Sequence, residues 1–211
     1  DVPTAVRMTT YTFDTDVGVT PSGQTWSLVT NTKTYVSPLT NAVQTATRKG
    51  SHWKTTATFN NLTGADRAKM QAFLSRLNGQ EHRIYFQDYG YSRRGTAPSG
   101  DTGLRVDGGS QTGTSVLLDG ATASTSNYFR AGDRLAFDNC YHMVTADCDS
   151  NASGHVTVPI APALRGSPAD DALVTFTTPL AVMIVTSSAN WDSRIGGLSS
   201  FTLEAIEDVL A

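Results

Sequence analysis

The sequence predicts a mainly β protein in which one α-helix packs on a sheet. Most of the chain divides into short runs of β-branched and aromatic residues that are separated by turn-forming residues. One stretch, residues 61–79, carries a complete helix signature. We therefore expect a discontinuous β-sandwich or barrel domain with one packed helix, together with an inserted small antiparallel β domain.

The predicted helix covers residues 64–78. Thr63 is a suitable N-cap, and Asp66, three residues later, completes a capping box. Asn78 and Gly79 tolerate the left-handed conformation with which many helices end. One stripe with the spacing i, i+3, i+4 and i+7 must be buried, and it consists of Met70, Phe73, Leu74 and Leu77.

Two hairpins are predicted before the helix. The first joins a strand at residues 26–30 to one at 34–36, and the second joins residues 42–48 to 52–59. The last of these strands has one face, repeating with period two, that we expect to receive the helix. That face consists of Trp53, Thr55, Ala57 and Phe59.

Strands at both ends of this region complete the predicted first sheet. Residues 4–13 form the first strand and end in a turn at residues 14–16. A strand at residues 83–87 is expected to close the sheet. Two strands near the end of the chain, at residues 181–186 and 201–207, are expected to rejoin it.

A change of composition after Asp88 predicts a domain boundary, because the next residues are rich in Gly, Ser and Pro. Short strands separated by turn signals follow, which is typical of a small antiparallel sandwich or barrel. These strands are residues 104–106, 115–118, 134–137, 143–146, 156–160 and 173–177. We therefore predict a first domain of residues 1–93 completed by 179–211, with residues 94–178 inserted as a second domain.

Composition disfavours several classes of partner. A net charge of −3 does not suit a sequence-independent nucleic-acid binder, which needs a basic surface to displace counterions. The longest apolar run, residues 180–185, is far shorter than the roughly 20 residues of a membrane helix, so we expect no membrane partner. Two cysteines are too few for a disulfide scaffold, and the pairing of Cys140 with Cys148 stays open.

Two groups of residues have the types of metal ligands without the required spacing, so we predict no metal site. The first lacks the C-x2-C spacing of zinc sites and consists of Cys140, His142, Cys148 and His155. The second imitates a calcium loop but has Ala152 in place of glycine and Val158 in place of glutamate. Its candidate ligands are Asp147, Asp149, Asn151 and Ser153.

No G-x-S-x-G motif and no phosphate-binding glycine loop occurs, so we predict no enzyme, no catalytic residue and no cofactor. Aromatic residues offer an alternative function, because their faces stack on sugar rings in many β modules. The alternative is a carbohydrate-binding tail module that aids host adsorption. Its candidate residues are Tyr89, Tyr91, Tyr128, Phe129 and Tyr141.

A series of short motifs, in a fixed order, resembles the distal tail proteins of long-tailed, siphovirus-like bacteriophages. The resemblance spans roughly residues 25–178. The motifs are Trp26-Ser-Leu-Val-Thr, Ser37-Pro-Leu-Thr-Asn, Arg48-Lys-Gly-Ser-His-Trp-Lys, Phe73-Leu-Ser-Arg-Leu-Asn-Gly, Phe86-Gln-Asp, Arg94-Gly-Thr, Val106-Asp-Gly, Gln111-Thr-Gly, Ala131-Gly-Asp, His142-Met-Val-Thr and Pro159-Ile-Ala-Pro-Ala-Leu-Arg.

The resemblance implies a structural virion protein that is assembled in the host cytoplasm. Copies of the chain, typically six, would form a ring at the distal end of the tail. The ring would join the tail tube protein to the baseplate hub and tip proteins, and DNA would only pass through its lumen. We predict that the strands 42–48 and 52–59 and the outer face of the helix make the subunit contacts, with Arg48, Lys54, Arg67, Lys69 and Arg76 as interface residues.

Overall fold

The computed structural model describes residues 8–187 and 198–210, and in this part of the chain it is mainly β, as predicted. The chain divides into two compact units. The first comprises Asp1–Ser27, Lys54–Tyr91 and Thr178–Ala211, and the second comprises Leu28–Trp53 and Ser92–Thr177. The second unit is therefore inserted into the first at two places along the chain.

A six-stranded sheet and two helices form the architecture of the first unit. Their bounds are β1 (Thr10–Thr12), α1 (Phe13–Val17), β2 (Gly23–Val29), β5 (His52–Leu62), α2 (Gly64–Arg76), β6 (Arg83–Gln87), β12 (Leu180–Val185) and β13 (Ser199–Glu207). The strand order is β1-β6-β12-β13-β5-β2, and the last residues of β2 and the first two of β5 continue into the second unit. The two strands near the end of the chain thus rejoin the first sheet, as predicted.

Strand β6 has the predicted bounds but does not close the sheet. It lies in the interior, where it pairs in parallel with β1 on one side and antiparallel with β12 on the other. The prediction was wrong because β12, which is distant in sequence, pairs with the edge of β6 that does not face β1.

The predicted helix is confirmed as α2. The Thr63 hydroxyl accepts a hydrogen bond from the backbone N–H of Asp66 at 3.2 Å and donates one to the Asp66 carboxylate at 2.7 Å. Both bonds satisfy groups at the helix N-terminus. The chain leaves the helix through Gly79 with φ of 69°. The predicted stripe of Met70, Phe73, Leu74 and Leu77 is buried, with at most 7% of any of these residues exposed.

The short helix α1 was not predicted, because its residues 14–16 were interpreted as a turn. Phe13, at the start of α1, is fully buried. Its ring lies 5.5 Å from the ring of Phe73 on α2, 5.7 Å from that of Phe59 and 5.1 Å from that of Phe86. Phe13 therefore contributes to the core between α2 and the sheet.

Both predicted hairpins were wrong. The hairpin that forms instead joins β3 (Thr32–Val36) to β4 (Val43–Thr47), which pair antiparallel with Thr32 opposite Thr47. Pro38 lies in the turn that connects the two strands, where its missing N–H costs nothing. Strand β5 pairs with β13 instead. Consequently residues 28–53 belong to the second unit and not to the first domain, where we had placed them.

The rest of the second unit is a small barrel. Its five-stranded antiparallel sheet has the order β7-β8-β11-β10-β9. The segment 172–175 hydrogen-bonds to both edges of this sheet: Val174 N–H donates to the carbonyl of Leu104, and Thr175 and Ala136 exchange two bonds. This closes the sheet around an apolar core. The strands are β7 (Arg105–Val106), β8 (Ser115–Asp119), β9 (Arg134–Phe137), β10 (Cys140–Val144) and β11 (Val156–Ala161).

Candidate interaction surface: the arm and the cleft at its base

The feature that sequence reasoning missed is the hairpin of β3 and β4, which with its turn covers residues 32–47 and is called the arm below. The two strands form a sheet of their own, and every residue of both strands is exposed. A two-stranded ribbon is marginally stable in water unless something packs on it. The arm nevertheless exposes large apolar side chains: Tyr35, Val36, Leu39 and Val43, of which Leu39 is 94% exposed.

Two features of the sequence distinguish this region: the charge of residues 28–53 and the order of apolar and polar residues in the arm. Residues 28–53 include Lys33, Arg48 and Lys49 and no aspartate or glutamate. Because the whole chain carries a net charge of −3, the remainder of the chain carries −6. The arm also lacks the alternation of apolar and polar residues that marks a strand with one buried face. A basic segment, residues 28–53, is therefore part of an otherwise acidic chain, and the arm within it has no buried face.

A cleft lies at the base of the arm, within the second unit, with a volume of about 360 Å3. Its apolar lining consists of Leu28, Pro162, Ala163 and Leu164, and Arg48 and Lys49 are its cations from the arm side. No carboxylate lines it among the residues that the structure describes. The cleft therefore combines apolar walls with positive charge.

One arginine joins the two sides of the cleft. The Nε and Nη2 atoms of Arg165 donate to the backbone carbonyl of Ser51 at 3.2 and 3.1 Å. In the opposite direction, the ammonium of Lys49 donates to the carbonyl of Arg165 at 3.2 Å. These bonds fix residues 162–165 against the base of the arm. The charge of Arg165 is directed at a carbonyl of the chain itself.

Two of the five predicted interface residues form ion pairs within the first unit. The Lys54 ammonium lies 3.5 Å from the carboxylate of Glu204, and the Arg76 guanidinium lies 2.9 Å from that of Asp16. Arg76 also stacks over the ring of Tyr11, with its Cζ atom 3.9 Å from the ring centroid. Their charges are thus already partly compensated by partners far away in sequence.

The other three predicted interface residues differ in how they are held. Arg67 donates from Nη1 to the Ser199 hydroxyl at 3.4 Å. Lys69 and Arg48 are exposed, and among the described residues neither side chain has an acidic partner. Lys69 lies on α2 in the first unit, whereas Arg48 lines the cleft in the second. These two cations are the predicted interface residues that still offer their full charge to a partner.

The candidate zinc ligands do not form a metal site. No group of three or more His, Cys, Asp or Glu side chains is placed to hold a metal within residues 8–187 and 198–210. The Nε2 atom of His155 lies 3.3 Å from a carboxylate oxygen of Asp107. Burial raises the pKa of the Cys148 thiol to about 11, so this side chain stays protonated at neutral pH. Cys140 and Cys148 are both free thiols.

The imitation calcium loop has a structural role instead. An oxygen of Asp147 accepts a hydrogen bond from the N–H of Ala131 at 2.8 Å, and one of Asp149 accepts from that of Asn127 at 2.6 Å. The amide oxygen of Asn151 accepts from the backbone of its own turn. These oxygens hold turns of the barrel, where short polar side chains are favoured.

Most of the aromatic residues proposed for sugar binding lie in the core. Tyr128, Phe129 and Tyr141 are fully buried, so their faces are not accessible to a sugar ring. Tyr89 is half-buried, and its hydroxyl hydrogen-bonds to the carboxylate of Asp14. Three of the five candidate residues are therefore inaccessible to a sugar, whereas Tyr89 and Tyr91 are half-buried.

Comparison with known proteins does not assign this chain. A scan against models of protein families and a search of curated proteins both returned no match. Within the described part of the chain, none of the helices has the length and apolar character of a membrane span. The function has to be argued from the surfaces of the molecule and from the motifs of its sequence.

Proposed function

We propose that this chain is a structural virion protein that forms a ring at the distal end of a phage tail. The ring joins the tail tube protein to the hub and tip proteins of the baseplate, and its lumen lets DNA pass. The chain has neither catalytic activity nor a cofactor in this role. The motif series from Trp26 to Arg165 supports the proposal from the sequence, and the arm supports it from the structure.

The arm is the observation that carries the proposal, because an exposed apolar ribbon on a folded protein marks an interaction site. Among the residues that the structure describes, each of its strands also has one edge that pairs with no other strand, which a further strand could extend by backbone hydrogen bonds. Strand β4 lies within the segment 42–48 that we predicted as a contact strand. The arm is thus suited to protein–protein contact by its side chains and by its backbone.

A second copy of the chain is the occupant that the charges favour. The segment 28–53 carries three positive charges, whereas the rest of the chain carries −6. The basic segment 28–53 of one copy is therefore attracted to the acidic remainder of the next, which steers association and fixes its direction. Such a contact joins two different surfaces, so it repeats around an axis and closes into a ring when the rotation per copy divides the circle.

Native mass spectrometry and negative-stain electron microscopy test the proposal on the purified full chain. We expect closed rings of one stoichiometry, which the resemblance sets at six. The double variant Leu39→Ser and Val43→Ser should be monomeric, because it removes exposed apolar groups from the arm. Leu173→Ser is the matched control, since Leu173 is also a large exposed apolar residue but lies outside the arm.

Three results would contradict the proposal. The first is a monomer at every concentration for the unchanged chain. The second is an unaltered ring mass for the Leu39→Ser and Val43→Ser variant. The third is equal loss of the ring with Leu173→Ser, which would show that the arm has no special part in assembly.

A charge reversal tests the predicted interface residues separately. Lys69→Glu should weaken the ring, because Lys69 is exposed and has no acidic partner among the described residues. Lys54→Glu should have a smaller effect on assembly, since Glu204 already compensates the charge of Lys54. The reverse order of effects would remove Lys69 from the proposed contact.

A further inference from the structure

The cleft at the base of the arm has the size and the lining of a binding site. Ligand clefts commonly have volumes of about 300–1,000 Å3, so a cleft of about 360 Å3 accepts one or two side chains. Pro162 and Leu164 form a buried part of its wall, and Leu28 is half-buried. The hydrogen bonds between Arg165, Ser51 and Lys49 hold the two sides of the cleft in place. A ligand would therefore enter a preformed site.

The charges around the cleft specify a ligand of the opposite sign. The Arg48 guanidinium is exposed and has no acidic partner among the described residues. The Lys49 ammonium uses one of its three N–H groups on the Arg165 carbonyl, so two remain for a ligand. The sequence of the whole segment 28–53 lacks aspartate and glutamate, so no carboxylate of this segment competes for these cations.

We propose that the cleft binds a short acidic segment of another protein. An apolar side chain of that segment lies against Leu28, Pro162 and Leu164, and carboxylates on either side of it pair with Arg48 and Lys49. Charge complementarity identifies the partner as acidic, and the apolar walls require an aliphatic side chain between its carboxylates. The cleft shares Arg48 and Lys49 with the basic segment 28–53, so the two contacts are told apart through Leu39 and Val43, which lie in the arm and do not line the cleft.

Peptide titrations followed by two-dimensional NMR of the isotope-labelled full chain test the proposal. The probe is acetyl-Glu-Leu-Glu-amide, for which we expect a Kd of about 1 mM and shifts at the amides of Leu28, Ala163 and Leu164. Acetyl-Lys-Leu-Lys-amide keeps the leucine and reverses the charges, and acetyl-Glu-Ser-Glu-amide keeps the charges and lacks the leucine. Both should bind at least about tenfold more weakly.

A matched pair of variants assigns the binding to the cleft. Arg48→Glu should weaken the binding of acetyl-Glu-Leu-Glu-amide at least about tenfold, because it places a carboxylate on the cleft. Lys33→Glu makes the same change of charge on β3, outside the lining, and should leave the affinity within about twofold. The Leu39→Ser and Val43→Ser variant should still bind the peptide, so loss of the ring and loss of this site are distinguishable.

Four results would overturn the proposal. They are an absence of shifts at the cleft up to about 10 mM peptide, equal affinities for the three peptides, and an equal effect of Lys33→Glu and Arg48→Glu. The fourth is tighter binding of octanoate than of the acidic peptide at the same residues. That result would identify the ligand as a fatty acid and not as a segment of a protein.

Discussion

The arm and the barrel belong to the same compact unit but differ in burial: the barrel encloses a core, whereas the side chains of the arm are exposed. The barrel buries a charged residue, Asp133, and supplies three backbone N–H donors to its carboxylate. These come from Arg94 at 2.7 Å and from Gly95 and Arg130, each at 2.9 Å. The arm exposes Leu39 and gives it no surface on which to pack. The barrel thus gives one buried carboxylate three donors, whereas the arm leaves large apolar groups in water, which is typical of an interaction surface.

Several motifs of the series that resembles distal tail proteins can be placed in the barrel. Two of its motifs, Arg94-Gly-Thr and Ala131-Gly-Asp, contain the two sides of the Asp133 contact. In a third, the Gln111 amide group donates to the carbonyls of Asp107 and Leu117 and accepts from the N–H of Leu117. These motif side chains satisfy the backbone of the barrel. Three of the motifs therefore belong to the scaffold, whereas Ser37-Pro-Leu-Thr-Asn lies in the turn of the arm.

The largest effect on folding is expected when the barrel loses the Asp133 charge. Asp133→Asn places an amide N–H2 group where a carboxylate oxygen now accepts backbone N–H groups, so at least one donor is left without an acceptor. We expect the free energy of unfolding to fall by about 3 kcal/mol. Urea denaturation monitored by tryptophan fluorescence measures this change.

Asp138→Asn is the control, because Asp138 is exposed in the turn between β9 and β10 and has the positive φ that asparagine also tolerates. We expect a change within about 0.5 kcal/mol. Similar losses for the two variants would mean that the three N–H contacts of Asp133 contribute little to stability. The contrast between barrel and arm would then lose its best example.

A second effect is expected from pH, through the buried His142 in the barrel. Its Nδ1–H donates to the Pro162 carbonyl at 3.0 Å, and its ring stacks on Phe137. Its Nε2 atom is buried and has no hydrogen-bond partner within residues 8–187 and 198–210. Burial lowers the pKa of His142 to about 4, and the nearby charge of Arg165 lowers it further, although the Pro162 carbonyl opposes the shift. The charged form is disfavoured because a proton on Nε2 has no acceptor.

The sign of the pH effect follows from the order in which the two states bind the proton. The unfolded chain takes it up near pH 6.5, whereas the folded chain does so only near pH 4. The contribution of His142 to stability is therefore complete above pH 6.5 and is lost as the pH falls from 6.5 towards 4. Between pH 7 and pH 5 we expect a loss of about 2 kcal/mol.

The variant His142→Phe removes this titration, so its free energy of unfolding should depend less on pH in this range than that of the unchanged chain. Urea denaturation at pH 7 and pH 5 measures the two slopes. Equal slopes for the unchanged chain and His142→Phe would contradict the assignment.

The parts of the fold that sequence predicted are those with a local signature. Helix α2 has its cap, stripe and terminal glycine within one stretch, and most barrel strands are bounded by their own turn residues. Two barrel predictions were wrong: the strand expected at residues 143–146 is found at Cys140–Val144, and residues 173–177 form isolated bridges instead of a strand. The arm escaped prediction because strand pairing depends on distant partners: β5 lies between β13 and β2, and β4 pairs with β3 instead. Likewise, the sequence identified exposed cations but not which of them Asp16 and Glu204 would pair with.

The smallest effect on folding is expected in the arm, where apolar side chains already face water. Leu39→Ser and Val43→Ser together should change the free energy of unfolding of the monomer by less than about 0.5 kcal/mol, since neither residue is buried. Val158→Ala in the barrel core removes two methyl groups from a fully buried residue and should cost about 2 kcal/mol. Urea denaturation at a protein concentration below that of ring assembly compares the two.

A loss above about 1 kcal/mol in the arm variant would mean that these side chains stabilise the fold of one copy. A loss below that limit, together with a monomeric mass, would mean that their contribution is made in the contact between copies.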